Sequence, residues 1–274
     1  MSSTHDMIFD SGTPRRIAAV VERHWYLIGG SWPRFLDLCY WPLVQMVLWG
    51  FIQQFMASQS GYFAAGAGMF LGAVMLWDTL FRGQIGFSIS FFEEIYSRNL
   101  GHLLATPLSP GEYIVSLMVT SLLRTSLGLF PSTLLAIWFF GFNIYSLGLA
   151  LGAFYASLII FGWSVGLVVS GLVLRYGLGA EGFAWALLFA VAPICGVYYP
   201  VSILPHWLQL FSAILPASYI FEGMRDIVLN RTLHPQLLLI AGALNALWLA
   251  AGVAAFYAFY NKARDRGMLL QLGE

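Results

Sequence analysis

Six long apolar stretches constrain this chain more than any other feature of its sequence. They run over residues 36–57, 62–81, 113–140, 147–174, 182–199 and 237–260. About 20 apolar residues in a helix cross the hydrocarbon core of a bilayer, and each stretch has about this length or more. Only 9% of the 274 residues are charged, whereas a soluble domain has roughly 25%. We therefore predict an all-α integral membrane domain at residues 34–266 with six transmembrane helices.

The distribution of positive charge predicts the orientation. Ten of the thirteen Lys and Arg residues fall in connections on one side, namely Arg15, Arg16, Arg23, Arg34, Arg82, Arg98, Arg175, Lys262, Arg264 and Arg266. Arg225 and Arg231 fall on the other side, and Arg124 lies inside the third stretch. Since cytoplasmic loops carry the excess of Lys and Arg, we expect a multi-pass protein of the cytoplasmic (inner) membrane with both termini cytoplasmic.

Residues 1–33 read as a cytoplasmic N-terminal segment, and residues 267–274 as a cytoplasmic tail. The charges in the N-terminal segment do not fit a cleaved secretory signal. Thr13 and Pro14 favour a helix start. Apolar residues from Ile17 to Ile28 then recur on one face, with Arg16 and Arg23 mostly on the other. This pattern predicts an amphipathic interfacial helix, which either anchors the first span or takes part in gating.

The connection between the second and third stretches predicts another amphipathic helix, from Phe92 to Thr106. Its apolar positions keep near-helical spacing, Glu93, Glu94, Arg98 and His102 supply its polar positions, and Pro107 and Pro110 end it. Such a cytoplasmic helix either floats at the lipid surface or docks onto a soluble partner. The residues alone leave both readings open.

The stretch from Leu204 to Ile220 is apolar but too short for a seventh crossing. It contains Pro205, His206 and Pro216, and a crossing here would place the basic C-terminal tail outside. We therefore predict a re-entrant or interfacial helical hairpin on the outer face.

Arg124 needs a partner or a water-filled path, since an unpaired charge in the middle of a span costs at least about 3 kcal/mol. Asp78 in the second stretch, with Arg82 one helical turn below it, is the candidate network. The three residues either pair structurally or conduct a polar or anionic substrate.

Several kinds of chemistry find no support in the residues. A nucleotide-binding P-loop needs a Gly-Lys pair, but Lys262 is the only lysine. The five His residues are scattered, and Cys39 and Cys195 lie far apart, so no metal site is predicted. The zero net charge argues against nucleic-acid binding. We expect a chain that is not itself an enzyme and carries no cofactor.

Glycines spaced four residues apart predict close helix packing. Gly162 and Gly166 flank Ser164 in a pattern that also spells a hydrolase elbow, but this Ser lies within a span and every His lies outside the spans. Small-xxx-small spacing, repeated at Gly148 and Gly152, is the better interpretation.

Two blocks of residues carry a resemblance to a known family. Leu103-Leu104-Ala105-Thr106-Pro107-Leu108-Ser109-Pro110 precedes Glu112-Tyr113; further on come Tyr199-Pro200, Leu204-Pro205-His206-Trp207-Leu208, Leu215-Pro216, Glu222-Gly223 and Arg225. With these blocks the chain resembles the type-2 permeases of ATP-binding-cassette (ABC) exporters over residues 34–266. One departure is Ser97-Arg98-Asn99, where many members have a Gly-Thr pair.

The resemblance implies partners and sites. A six-span permease would pair with a second permease, as a homodimer in the simplest case, and with two cytoplasmic ATPase subunits that bind ATP and Mg²⁺. The coupling helix seated in the ATPase would contain Phe92, Glu93, Glu94, Arg98, His102, Leu103, Thr106 and Pro107. The outer gate hairpin would contain Tyr199, Pro200, Leu204, Pro205, Pro216, Glu222 and Arg225.

The resulting functional expectation is a permease subunit that exports an amphipathic substrate. A lipid-linked glycan or lipo-oligosaccharide and a hydrophobic drug both fit short loops and aromatic-rich spans. Two other classes stay open. A channel or scaffold would need no ATPase, and an intramembrane enzyme would need ionisable residues converging on one buried site.

Overall fold

The computed structural model describes residues 12–59 and 61–267, with side chains described except at 59–68 and 104, and every regular element within them is a helix. The α-helices are α1 (Thr13–Gly29), α2 (Trp32–Gln59), α3 (Gly61–Tyr96), α4 (Leu100–Leu104), α5 (Pro110–Phe140), α6 (Leu149–Tyr176), α7 (Phe183–Ile194), α8 (His206–Ala213), α9 (Pro216–Asn230) and α10 (Pro235–Asp265). Residues 1–11 of the predicted N-terminal segment and 268–274 of the predicted tail lie outside the described residues. The predicted helix start at Thr13 is confirmed.

Helix α6 forms the centre of the bundle, between α3 and α10. A Cβ on Gly162 would lie 2.9 Å from the Leu80 carbonyl oxygen of α3, and one on Gly252 of α10 would lie 2.8 Å from the Ser164 carbonyl oxygen. Only glycine permits such close approach of two helix backbones. The packing interpretation is therefore confirmed at Gly162. It is wrong at Gly148 and Gly152, where a Cβ would meet no described atom within 4 Å.

Side-chain contacts show which helix ends lie together. Arg82 donates to the Leu38 carbonyl and Gln53 accepts from the Leu71 backbone N–H, so α2 and α3 run antiparallel. Ser121 of α5 donates to the Gly83 carbonyl of α3. The start of α2, the end of α3 and the start of α5 consequently meet at one end of the bundle, which we call the inner end.

The predicted spans correspond to helices, with different limits. Among the residues that the structure describes, four helices are long and apolar enough to cross a membrane by length and composition: α2 over Trp32–Ser58, α5, α6 and α10. Helix α3 is 36 residues long and includes Asp78, Arg82, Glu93 and Glu94. The predicted fifth stretch, 182–199, is helical only as far as Ile194.

The predicted helix from Phe92 to Thr106 is not one helix, which corrects the expectation. Helix α3 continues through Phe92 to Tyr96, and α4 has only five residues. Between them Arg98 adopts φ 54°, a left-handed conformation that ends a helix. The Ser97 and Asn99 backbone N–H groups then bond back to the carbonyls of Glu93 and Glu94. Arg82, predicted to lie in the connection, therefore lies inside α3.

Helix α5 starts with a capping box that fixes its first turn. The Ser109 side chain accepts a hydrogen bond from the Glu112 backbone N–H, and the Glu112 carboxylate accepts one from the Ser109 N–H. Two of the unpaired N–H groups at the helix start are satisfied in this way. This start places Glu112 at the inner end.

Helices α8 and α9 form a helical pair over the stretch predicted as a hairpin. Pro216 is the first residue of α9, and Leu215 before it is extended, which suits a residue that precedes proline. One face of α9 is buried against the bundle, including Phe221, Met224 and Arg225. In α8, Ser212 is buried, whereas Trp207, Leu210 and Phe211 are exposed.

Candidate functional site

Two adjacent carboxylates, Glu93 and Glu94, lie in the last turn of α3 and form the centre of the inner end. Neighbouring residues on a helix point in directions about 100° apart, so the two carboxylates face different helices. Glu94 is fully buried, and the side chain of Glu93 is 19% exposed. A buried carboxylate requires partners, and each of these two gathers a separate set.

Glu94 joins α3 to α1 and to the turn before α4. Arg23 Nη1 donates to its Oε2 at 2.7 Å, and Asn99 Nδ2 donates to the same oxygen at 2.8 Å. His24 Nε2 lies 3.6 Å from the other oxygen and is itself fully buried. A displacement of Asn99 therefore acts directly on the carboxylate that holds α1.

Glu93 joins α3 to α5 and α2. Arg124 Nη2 donates to both of its carboxylate oxygens at 3.1 and 3.2 Å, and Arg34 Nη1 lies 3.7 Å away. The Arg124 side chain is 8% exposed. The need of Arg124 for a partner was predicted correctly, but the partner was not, because α3 extends far enough beyond Arg82 to bring Glu93 within reach.

Asp78 and Arg82 form a separate pair within α3. Arg82 Nε donates to Asp78 Oδ2 at 2.8 Å, and its Nη1 donates to the Leu38 carbonyl of α2 at 2.9 Å. The predicted network is thus divided in two. Asp78 and Arg82 hold α2 against α3, while Arg124 belongs with Glu93.

Another ion pair fixes the start of α1 to the start of α5. Arg16 Nη2 lies 2.5 Å from Glu112 Oε1, and Thr13 Oγ1 donates to the same oxygen at 2.7 Å. The Glu112 carboxylate is also part of the capping box of α5. Hydrogen bonds from Arg16, with those from the Ser109 backbone and Thr13, lower the pKa of Glu112 to about 2 although burial opposes the shift.

Two basic residues of α1 make contacts that the sequence pattern did not predict. Arg16 and Arg23 were expected on a polar face directed away from the apolar one, but both reach carboxylates of this same chain. The spacing of residues along α1 indicates that both arginines lie on the face that packs against the bundle. Thr13, Arg16, Val20 and Arg23 recur at three or four residues and thus share one helical face with His24.

The predicted coupling residues divide into buried and exposed sets. Phe92 and Glu94 are buried, and Glu93 and Leu103 are partly buried; Arg98, His102, Thr106 and Pro107 are exposed. The exposed set lies on the turn and short helix from Ser97 to Pro107, which we call the inner turn. Only the exposed set is available to a partner, while the carboxylates lie directly behind it.

The end of α3 is also connected to the segment before α7. The Tyr96 hydroxyl at the end of α3 donates a hydrogen bond to Glu181 Oε2. This bond, with smaller effects from burial and the charge of Glu181, raises the pKa of Tyr96 to about 12. The end of α3 is therefore linked by side chains to α1, α2, α5 and the start of the fifth predicted span.

The predicted outer gate residues lie on α9 and in the segment between α7 and α8. Glu222 and Arg225 form an ion pair at 2.9 Å, and Arg225 Nη1 donates to the Gly196 carbonyl at 2.7 Å. Tyr199 and Pro200 lie in the non-helical segment that this pair contacts. Leu204 is buried and Pro205 is exposed before α8, whereas Pro216 is buried at the start of α9.

The charged side chains of the inner end form contacts between helices and not a catalytic arrangement among the described residues. Among the described residues no three His, Cys, Asp or Glu side chains converge as metal ligands. The Ser164 hydroxyl donates to the Ile160 carbonyl, the usual role of a serine inside a helix. The charged side chains of the inner end instead connect helices to one another.

Comparison with known proteins agrees with this architecture. No curated protein matches the chain. The sequence profile of the ABC-2 type transporter family matches residues 17–229, well over half of the 274 residues, and includes both blocks of the resemblance. The chain therefore belongs to the ABC-2 type transporter family and is a multi-pass membrane permease subunit of an ABC transporter.

Proposed function

We propose that this permease is the membrane half of an ATP-driven exporter whose partner ATPase binds the inner turn. The observation that carries the proposal is the position of Glu93 and Glu94 directly behind the exposed residues of that turn. A partner that moves the turn also moves Asn99, which is bonded to Glu94. The ion pairs of the two carboxylates then pass the displacement to α1, α2 and α5.

The proposed orientation places the inner end in the cytoplasm with both termini. Exposed Arg15 on α1 and exposed Lys262 and Arg266 at the end of α10 support it, because positive charge accumulates on the cytoplasmic side. Arg175 at the end of α6 lies over the rings of Tyr176 and Phe259, 5.0 and 5.7 Å from their centroids. Arginine and aromatic side chains together suit a membrane interface.

A second copy of the permease is proposed to face α2. This helix exposes Gln45 and Gln54 along a length that crosses the membrane. Amide side chains are unfavourable against lipid tails but suit a protein interface or a water-filled path. Val44, Leu48 and Phe51 line a shallow groove beside them.

The combination of amide and apolar side chains on α2 suits an amphipathic cargo. A lipid-linked glycan or lipo-oligosaccharide would place its polar part along the amides and its lipid part along the groove, and a hydrophobic drug would use the groove alone. We propose outward movement of such a cargo between two permease copies, driven by two ATPase subunits that bind ATP and Mg²⁺.

Different side chains are proposed to bind the ATPase and to transmit its movement, so two double variants test the two roles separately. In the complex with its co-purified ATPase, His102→Ala with Arg98→Ala is expected to weaken ATPase association. Glu93→Gln with Glu94→Gln is expected to leave association intact. The same pair should lower stimulation of ATP hydrolysis by the permease about tenfold, since 1.4 kcal/mol of lost coupling gives this factor.

Glu22→Gln is the matched control, because Glu22 is exposed on α1. Equal stimulation in the Glu93/Glu94 variant and the control would contradict the coupling role. Cargo transport by the purified permease without any nucleotide-hydrolysing subunit would contradict the exporter itself.

A further inference from the structure

A break in the backbone follows α7. The helix has 12 residues, about 18 Å at 1.5 Å per residue, whereas the hydrocarbon core is about 30 Å thick. The chain then continues without helix from Cys195 to Pro200, and Cys195, Gly196 and Val197 are buried. Buried backbone without helical hydrogen bonds needs other partners.

Two side chains of α9 supply those partners. Arg225 Nη1 donates to the carbonyl of Gly196 at 2.7 Å and lies 3.4 Å from that of Val197. Glu222 Oε1 accepts from the Val201 backbone N–H at 2.8 Å, where the chain turns into α8. The side chains of Glu222 and Arg225 thus supply hydrogen bonds that a continuous helix would make within its own backbone.

The Arg225 side chain is itself buried and lies against Glu222. Arg225 is 3% exposed, and its Nη2 lies 2.9 Å from Glu222 Oε1 one helical turn away. The turn itself is narrow. Gly196 has φ 61°, and a Cβ there would lie 2.7 Å from the Tyr199 carbonyl oxygen, so no other residue fits without movement.

We propose that Glu222 and Arg225 form a clamp that joins the end of α7 to the α8–α9 hairpin and keeps the break closed. The two are positioning residues: they hold backbone, and the hairpin and the break move as one unit. The Arg225 guanidinium binds the carbonyl oxygens of Gly196 and Val197, which would otherwise attract water or a cation. This inference rests on the proposed function only for the side of the membrane on which the hairpin lies.

The two native thiols allow a direct test. Cys195 is fully buried beside Gly196, and Cys39 is half-buried on α2. Cys39→Ser leaves Cys195 as the only thiol, and Cys195→Ser leaves Cys39. Rates of maleimide labelling are measured on the purified full chain in detergent. No ATPase is needed, so failure here is distinct from failure of the proposed function.

Arg225→Met is expected to speed labelling of Cys195 about tenfold, since leaving buried polar groups without partners favours local opening. Glu222→Ala should act in the same direction, because Val201 N–H and Arg225 both lose a partner. The labelling rate of Cys39 should stay within about twofold, the scatter of an unaffected site. In Arg225→Ala, added methylguanidinium should restore slow labelling of Cys195 by filling the vacated position.

Two outcomes would overturn the clamp. Unchanged Cys195 labelling in both Arg225→Met and Glu222→Ala means that the break is closed by other contacts. An equal rise at Cys39 and Cys195 in both variants means that the pair supports the whole bundle and not the break.

Discussion

The inner end and the clamp at Glu222 and Arg225 use the same residue types, glutamate and arginine, for different purposes. At the inner end Glu93, Glu94 and Glu112 bind arginines that are 31 to 96 residues away in sequence and belong to other helices. In the clamp Glu222 and Arg225 are three residues apart, and their other hydrogen bonds are made to backbone atoms.

The difference indicates what each cluster can do. Ion pairs between side chains of separate helices change when those helices move relative to one another, so they respond to and transmit displacement. A side chain bonded to backbone fixes local geometry and moves with it. The inner end is therefore suited to coupling, and the clamp to holding two segments together.

The largest effect that this comparison predicts is at Glu94. Glu94→Ala removes the carboxylate that faces Arg23, buried His24 and Asn99, and it should lower the free energy of unfolding by about 3 kcal/mol, as expected for a broken buried pair. Unfolding in a mixed-detergent titration followed by tryptophan fluorescence measures it. Glu22→Ala is the control and should change stability by less than about 0.5 kcal/mol. A similar small effect at Glu94 would remove the basis for an interhelical role.

A double-mutant cycle measures whether the two clusters are separate. Arg124→Met and Glu93→Gln should show a coupling energy of about 1 kcal/mol or more, because the two side chains are in contact. Arg124→Met combined with Glu222→Gln should be additive within about 0.5 kcal/mol, since the residues share no partner. Coupling of equal size in both cycles would mean that the inner end and the clamp form one network.

A further prediction concerns pH and Glu112. Its pKa is lowered from 4.5 to about 2, so the stabilisation from its pairs is complete above about pH 4.5 and is lost as the pH falls towards 2. Glu112→Gln should flatten the fall in unfolding free energy between about pH 5 and about pH 3. Glu22→Gln should keep the wild-type slope. An unchanged slope in Glu112→Gln would show that other carboxylates govern acid stability.

Much of the inner end was predictable, and the failures have physical causes. The need of Arg124 for a partner and the exposed positions Arg98 and His102 followed from charge and periodicity. The continuous helix over Phe92–Thr106 did not form, because periodicity continues across a turn that only backbone geometry reveals. The carboxylate pair consequently ends a long helix and is buried behind the short one.

The residues of the α8–α9 hairpin and of the clamp illustrate a different limit. Pro205 and Pro216 interrupt the apolar stretch from Leu204 to Ile220. Helix α8 begins directly after Pro205, and α9 begins at Pro216. Nothing in the sequence spacing pairs Arg225 with Gly196, which lies 29 residues earlier. The match depends on the exact point at which α7 stops, and that point is set by the turn at Gly196.

The sequence alone determined that this chain is an all-helical membrane protein and which stretches form its main helices. Apolar length and proline or glycine positions act locally, so they can be read along the chain. The tertiary structure alone decided which charges meet. Arg16, Arg23 and Arg124 reach their carboxylates through the packing and length of whole helices, and a shift of one turn in α3 would have given Arg23 and Arg124 different partners.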